Sequence, residues 1–145
     1  MYCGVAGKMD WESYKKENIV KEAKVDLNLI NSLIKSSSKK FSTQKILELT
    51  EETASSKITL AYDSLGELLE ALSISKGYKV YNHGAYCAFL KEILKDSELG
   101  DKFNNIRKIR NAINYYGKDI SKQETEHIIS EISELIKKIR TILST

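Results

Sequence analysis

Apolar residues recur at three- and four-residue steps along most of the chain, which is the spacing of one face of an α-helix. Capping and helix-stop residues divide this pattern into five predicted helices. They run from a cap at Asp10 to a Ser/Lys-rich hinge at 36–40, from Ser42 or Thr43 to Gly77, from Asn82 to about Lys95, from Asp101 to Gly117, and from a Ser121/Glu124 capping box toward the C-terminus.

Composition supports the same architecture. The 145 residues contain no proline and seven glycines, with 41% hydrophobic and 30% charged residues, which favours long helices around one core. We therefore predict an all-α fold: a single up-down antiparallel bundle of about five helices over residues 10–145, preceded by a loose N-terminal arm over residues 1–9.

Charge and hydropathy limit the class of protein. The net charge of +3 is too small to indicate nucleic-acid binding by itself, but residues 27–47 and 102–118 contain lysines and arginines without any acid. No apolar run reaches the roughly 18–20 residues that cross a bilayer, and the N-terminus lacks a secretory apolar segment. We expect a cytoplasmic protein with no membrane association.

The fourth predicted helix has an unusual polar side. At about 100° per residue, one arc collects apolar side chains and another collects basic and amide side chains. The apolar arc contains Phe103, Ile106, Ile109, Ile113 and Tyr116, and the polar arc contains Arg107, Arg110, Asn111, Asn114 and Lys118. Arg110 lies at the seam, where a half-buried guanidinium needs an acceptor, a partner subunit or a phosphate.

Three segments together resemble the HEPN domain, a helical-bundle family found with minimal nucleotidyltransferases and in RNA-targeting defence systems. The segments are 61–72, AYDSLGELLEAL; 76–83, KGYKVYNH; and 109–115, IRNAINY. They are similar to the family's central helix, to its Lys-Gly turn leading to a histidine, and to its Arg-Asn-x-x-x-Tyr or Arg-Asn-x-x-x-His helix. The resemblance covers roughly residues 42–140.

In family members that cut RNA, the resemblance implies a metal-independent mechanism in which an arginine and a histidine four to six residues later meet across a dimer. In this chain the three corresponding slots after Arg110 hold Tyr115, Tyr116 and Gly117, and none of them holds a histidine. The resemblance therefore implies the non-catalytic branch: a homodimer that binds nucleotide or RNA phosphate, with a minimal nucleotidyltransferase as partner in a toxin-antitoxin-like system. The alternative is an endoribonuclease in which a displaced histidine or tyrosine replaces the missing one.

The candidate residues follow from these two readings. For nucleotide or RNA binding they are Arg107, Arg110, Asn111, Asn114, Tyr115 and Lys118, and for catalysis they are Arg110, His83 and Tyr115. Each also has a structural interpretation: Arg110 and Asn111 as a pair satisfied by carbonyls or Glu70, the tyrosines as ordinary packing, and His83 as a helix-start residue. Cysteine and histidine spacing indicates no metal site, and we expect no cofactor.

Overall fold

The computed structural model describes residues 9–145, which form a helical bundle with one small antiparallel ribbon. In chain order the elements are α1 (Trp11–Lys16), β1 (Val20–Glu22), α2 (Leu27–Ile46), α3 (Ala54–Ser75), β2 (Tyr78–Val80), α4 (Gly84–Ala88) continued by a π-helical segment (Phe89–Ile93), α5 (Ser97–Tyr116) and α6 (Lys122–Leu143). The all-α prediction is confirmed. Of the predicted arm, residues 1–8 lie outside the described residues, and Met9 packs partly buried against the core.

Helix α3 is the central element, as the sequence predicted. Its apolar residues are almost entirely excluded from solvent, and it packs mainly against α2 and α6. The contact with α2 is close because two small residues face each other: Ser37 Oγ donates to the Ser64 carbonyl and Ser64 Oγ to the Ser37 carbonyl, both at 2.8 Å. This leaves the opposite side of α3 for α4 and α5.

The predicted first long helix is wrong. The chain forms the short α1, turns at Asn18 with a left-handed φ of 60°, and enters β1, which pairs with β2 in the register Val20↔Val80. The apolar spacing in this segment fits a helix, but Val20, a β-branched residue, is buried as part of the ribbon instead. A new helix then begins after Asp26, whose carboxylate accepts from the Leu29 amide.

The predicted hinge at residues 36–40 is also wrong, because these residues lie within α2. Ser36 donates to the carboxylate of Glu67, and Ser37 is buried against α3. These tertiary contacts outweigh the low helix propensity of a serine run. The central helix accordingly begins at Ala54 and not at Ser42 or Thr43.

Two predicted helix ends, at Gly117 and at Ser121, are confirmed. Gly117 ends α5 with a φ of 62°, and Ser121 and Glu124 form a complete capping box at α6. Helix α5, however, begins at Ser97 behind the N-cap Asp96 and not at Asp101. The N-cap of α4 is His83 and not the predicted Asn82, although the Asn82 side-chain oxygen accepts from the Gly84 amide at 2.8 Å.

Candidate functional site

Helix α5 presents its polar side as the sequence predicted, with one exception. Phe103, Ile106 and Ile113 are buried in the core, and Ile109 packs partly against it. Tyr116, which was assigned to the apolar arc, is 85% exposed, so that assignment is wrong. The helix ends at this residue, and Asn114 and Tyr115 just before it are exposed as well.

Arg110 lies at the seam and stacks on a buried aromatic ring. Its guanidinium carbon is 4.2 Å from the centroid of Tyr62 in α3, within the range of a cation–π interaction. The side chain is half-buried, and its Nε has no hydrogen-bond partner among residues 9–145. Glu70, the internal acceptor considered from the sequence, instead pairs with Lys79 at 2.6 Å. The Tyr62 ring fixes the plane of the guanidinium. The positive charge of Arg110 has no carboxylate partner among the described residues.

His83 is brought to the same ring. Its Nδ1 lies 2.9 Å from the Tyr62 hydroxyl, and either atom can donate, depending on the imidazole tautomer. The imidazole packs over Gly66, one helical turn after Tyr62 on α3. His83 and Arg110 therefore occupy two sides of one buried tyrosine, although 27 positions separate them in the sequence.

The electrostatics of this group favour a neutral imidazole. His83 keeps part of its surface in solvent, but the burial of the rest of its ring lowers its pKa, and the positive charge of Arg110 lowers it further. Burial raises the pKa of Tyr62, against the opposing effect of Arg110. At neutral pH the cluster therefore consists of a cation, an un-ionised phenol and an uncharged imidazole, so its net charge is positive.

Arg107 is the second arginine of the stripe and is partly engaged inside the protein. Its Nη2 donates to the side-chain oxygen of the buried Asn104 at 2.9 Å, while its buried Nε has no partner within residues 9–145. Its charge also lowers the pKa of His83 and opposes the burial-driven rise in the pKa of Tyr62. Arg107 thus adds to the positive potential at the cluster from a fixed position.

The other predicted residues lie further from this cluster. Asn111 is half-buried, and Asn114 is exposed, with its side-chain oxygen 3.5 Å from Thr59 Oγ1. Tyr115 is 70% exposed at the end of α5, and Lys118 lines a separate groove that also contains Ile113 and Ser121. The structure therefore gathers Arg107, Arg110 and His83 around Tyr62, and places Tyr115 and Lys118 at the margin.

Sequence reasoning missed Tyr62 as a site residue. Its signal was available in the four-residue spacing of Tyr62, Gly66 and Glu70, which puts an aromatic, a gap and a carboxylate on one side of the central helix. Nothing in the sequence indicated that this side faces both the start of α4 and the middle of α5. That arrangement depends on how the helices pack.

The acidic residues of α3 do not form a metal site in the part of the chain that the structure describes. Glu67 accepts from Ser36 and pairs with Lys40 at 3.4 Å, and Glu70 pairs with Lys79. The negative charge of Asp63 raises the pKa of His83 more than that of Glu70 does.

Comparison of the chain with protein-family models, with curated proteins and with solved structures finds no match. The resemblance to the HEPN domain therefore remains a prediction. None of the helices within residues 9–145 combines the length and apolar character that a bilayer crossing requires.

Proposed function

We propose that this protein is a HEPN-type, non-catalytic binding protein that holds a phosphate of a nucleotide or of RNA at Arg110. The observation that supports this most directly is the guanidinium on the Tyr62 ring, oriented and without a carboxylate partner among residues 9–145. A planar guanidinium is suited to a phosphate because it donates two parallel hydrogen bonds. Arg107 adds charge, and Asn111, Asn114, Tyr115 and Lys118 extend the surface along α5.

Stacking on Tyr62 favours binding energetically. A free arginine loses side-chain freedom when it binds an anion, but one already held against a ring loses less. Desolvation is also partly complete, because the Nε is buried in the unliganded protein. A phosphate that binds the outer nitrogens would therefore need to displace less water than at a fully exposed arginine.

The test is a titration of a short fluorescent single-stranded RNA against the protein at several salt concentrations. Arg110→Ala should weaken binding at least tenfold and reduce the log–log salt slope by about 0.7, the value for one phosphate contact on a single strand. Lys108→Ala is the matched control, because Lys108 lies on the opposite side of α5, in a groove with Glu124 and His127. If the two substitutions weaken binding equally, the contribution of Arg110 is only its positive charge, and the proposed site is wrong.

A second candidate function is a metal-independent endoribonuclease, and the position of His83 favours it. The neutral imidazole beside Arg110 is suited to take the proton of a ribose 2′-hydroxyl, whose oxygen would attack the adjacent phosphorus and expel the 5′-oxygen, which takes up a proton from solvent. Arg110 would stabilise the charge that develops on the phosphoryl oxygens. Tyr115 is the other catalytic candidate, but it is largely exposed.

Incubation of the protein with RNA and with DNA of the same sequence in EDTA separates the two functions. The nuclease requires cleavage of RNA only, 2′,3′-cyclic phosphate ends, and loss of cleavage in both Arg110→Ala and His83→Gln. Binding without cleavage supports the non-catalytic function. His127→Gln controls for removal of a histidine, since His127 is exposed on α6.

The homodimer and the minimal nucleotidyltransferase partner are further parts of this proposal, and they rest on the family resemblance. Light scattering on the purified protein tests the first, and a dimer is expected. Co-expression with the product of a neighbouring short nucleotidyltransferase gene tests the second, since a stable complex should co-purify. A monomer that binds RNA with full affinity would remove the dimer from the mechanism.

A further inference from the structure

The outer face of the β-ribbon carries an exposed aromatic ring between two lysines. Tyr81, which follows β2, is 61% exposed, and the ammonium groups of Lys21 and Lys79 lie 5.7 and 5.9 Å from its ring centroid. The two lysines are register partners across the ribbon, so the backbone fixes their separation. These distances are near the limit of about 6 Å for a cation–π contact, so the lysines flank the ring and leave it accessible.

The same side of α3 connects this ring to the Arg110 cluster. Tyr62, Gly66 and Glu70 follow one another at four-residue steps, which places them in a line of about 12 Å at 1.5 Å per residue. Tyr62 contacts Arg110 and His83, Gly66 lies beneath His83, and Glu70 pairs with Lys79 at 2.6 Å. Arg110 and the Tyr81 ring therefore lie toward opposite ends of the line that Tyr62, Gly66 and Glu70 form along α3, with His83 between them.

We infer that Tyr81 is a base-stacking platform, and that the ligand of this protein is single-stranded RNA of several nucleotides and not a free nucleotide. The inference rests on the proposed phosphate site at Arg110. Aromatic rings between cations are the usual way to hold successive bases of a single strand, because every base has a π-face and every linkage a negative charge. In this arrangement Arg110 holds one phosphate, Tyr81 stacks a base further along the strand, and Lys21 contacts the backbone beside it.

The arrangement also explains why Lys79 is paired and Lys21 is exposed. The salt bridge to Glu70 anchors the end of β2 to α3 and so fixes the ring of Tyr81 relative to the helix. Lys21 has no carboxylate within salt-bridge distance among the described residues, and its charge is available to the strand. The two lysines therefore have different roles, and their substitution should have different effects.

The experiment compares two ligands: an eight-nucleotide single-stranded RNA followed by fluorescence anisotropy, and ribose 5-phosphate, which has no base, followed by NMR. Tyr81→Leu should weaken RNA binding about tenfold and leave ribose 5-phosphate binding within twofold, because stacking on the ring is lost and the phosphate site is intact. Tyr81→Phe keeps the ring and should bind as the original protein does. Lys21→Ala should reduce the salt slope for RNA only.

The outcomes separate this inference from the proposed function. If Tyr81→Leu binds RNA normally while Arg110→Ala does not, the platform is wrong and the phosphate site stands. If the original protein binds the RNA no more tightly than ribose 5-phosphate, the platform is likewise wrong. If it binds neither ligand, both proposals fail. Because Tyr81 is largely exposed, unchanged circular dichroism is expected for every variant at this position.

Discussion

The guanidinium carbon of Arg110 lies 4.2 Å from the ring centroid of Tyr62, so a charged side chain covers a tyrosine that is itself fully buried. The hydroxyl of the same tyrosine is 2.9 Å from His83. Three helices, α5, α3 and the start of α4, thus meet at one phenol ring. Because the ring is fixed in the core, it also fixes the spacing between the arginine and the histidine.

Replacing Arg110 by alanine should affect binding far more than folding. A cation–π contact contributes about 0.5–2 kcal/mol, depending on how dry it is. Its loss is offset because the substitution also removes a buried Nε that has no partner within residues 9–145. We expect the free energy of unfolding, from urea denaturation, to change by less than about 1 kcal/mol. A loss above about 3 kcal/mol would identify Arg110 as an architectural residue.

Tyr62→Phe and Tyr62→Ala should separate the hydroxyl from the ring. The phenylalanine variant keeps the surface under Arg110 and the stacking with Phe103, and loses the hydroxyl that bonds to His83, at a cost of about 1 kcal/mol. The alanine variant leaves a cavity in the core and should cost about 3–5 kcal/mol. RNA affinity should be retained in Tyr62→Phe. A large loss of affinity there would place the hydroxyl, and not the ring, at the phosphate.

Stability should fall as the pH falls below about 6.5, partly because of His83. Its folded-state pKa is lowered from the ordinary value of 6.5, mainly by burial and then by Arg110. Arg107 acts in the same direction, and Asp63 and Glu70 oppose it. The unfolded chain therefore binds a proton at His83 more readily than the folded protein does. The contribution of His83 to the free energy of unfolding is complete above pH 6.5 and is lost as the pH falls from there through the folded-state pKa.

Unfolding free energies of the original protein and of His83→Gln, measured from pH 5 to 8, test this. The variant should show a flatter profile below pH 6.5. His127→Gln, which removes the other histidine from an exposed position, serves as the control. A profile of His83→Gln that runs parallel to the original over the whole range would mean that His83 has the same pKa in both states.

The sequence predicted local features of this fold better than its long-range ones. Helical periodicity identified the apolar side of α5, and the capping rules located Gly117 and the Ser121 box, because these depend on residues within one or two turns. The ribbon was missed because each strand has only three residues, and each is stabilised by pairing with the other across 56 to 60 positions. Periodicity over such short segments cannot separate a strand from a helix.

The site shows the same division. Arg107, Arg110 and Asn111 were found because they share one helix, and His83 was found through its place in a motif. Tyr62 and Tyr81 were missed because their importance comes from contacts between elements: one is the ring on which Arg110 stacks, and the other is flanked by lysines from two strands. Side-chain spacing within one element carries no information about such contacts.

Lys57→Met should destabilise the end of α2. Lys57 is buried in α3, and its Nζ donates to the carbonyl of Leu47 at 2.7 Å and to that of Gln44. Methionine preserves the length of the side chain but leaves these carbonyls without a donor, at a cost of about 1–3 kcal/mol. Lys39→Met, at an exposed position of α2, should change stability by less than about 0.5 kcal/mol. Equal unfolding midpoints for the two variants would contradict the proposed role.

Alanine at Gly66 and at Gly100 should have opposite effects, although both glycines are buried in helices. At Gly66 an added Cβ would meet the His83 ring at 3.4 Å, an ordinary contact, so the gain in helix propensity should stabilise the protein by about 0.5–1 kcal/mol. At Gly100 it would lie 2.6 Å from Lys91 Cγ and 3.2 Å from the Cys87 carbonyl oxygen, so the Lys91 side chain or α5 itself must shift.

We expect Gly100→Ala to cost about 1–3 kcal/mol. Thermal unfolding of the two variants side by side is the measurement, and RNA affinity adds a second readout. Gly66→Ala should bind normally, whereas Gly66→Val, which directs a larger side chain at the imidazole, should displace His83 and leave the Arg110 contact with Tyr62 in place. If Gly66→Ala itself destabilises the protein, the prediction is wrong, and the His83 ring leaves no room for a methyl group at Gly66.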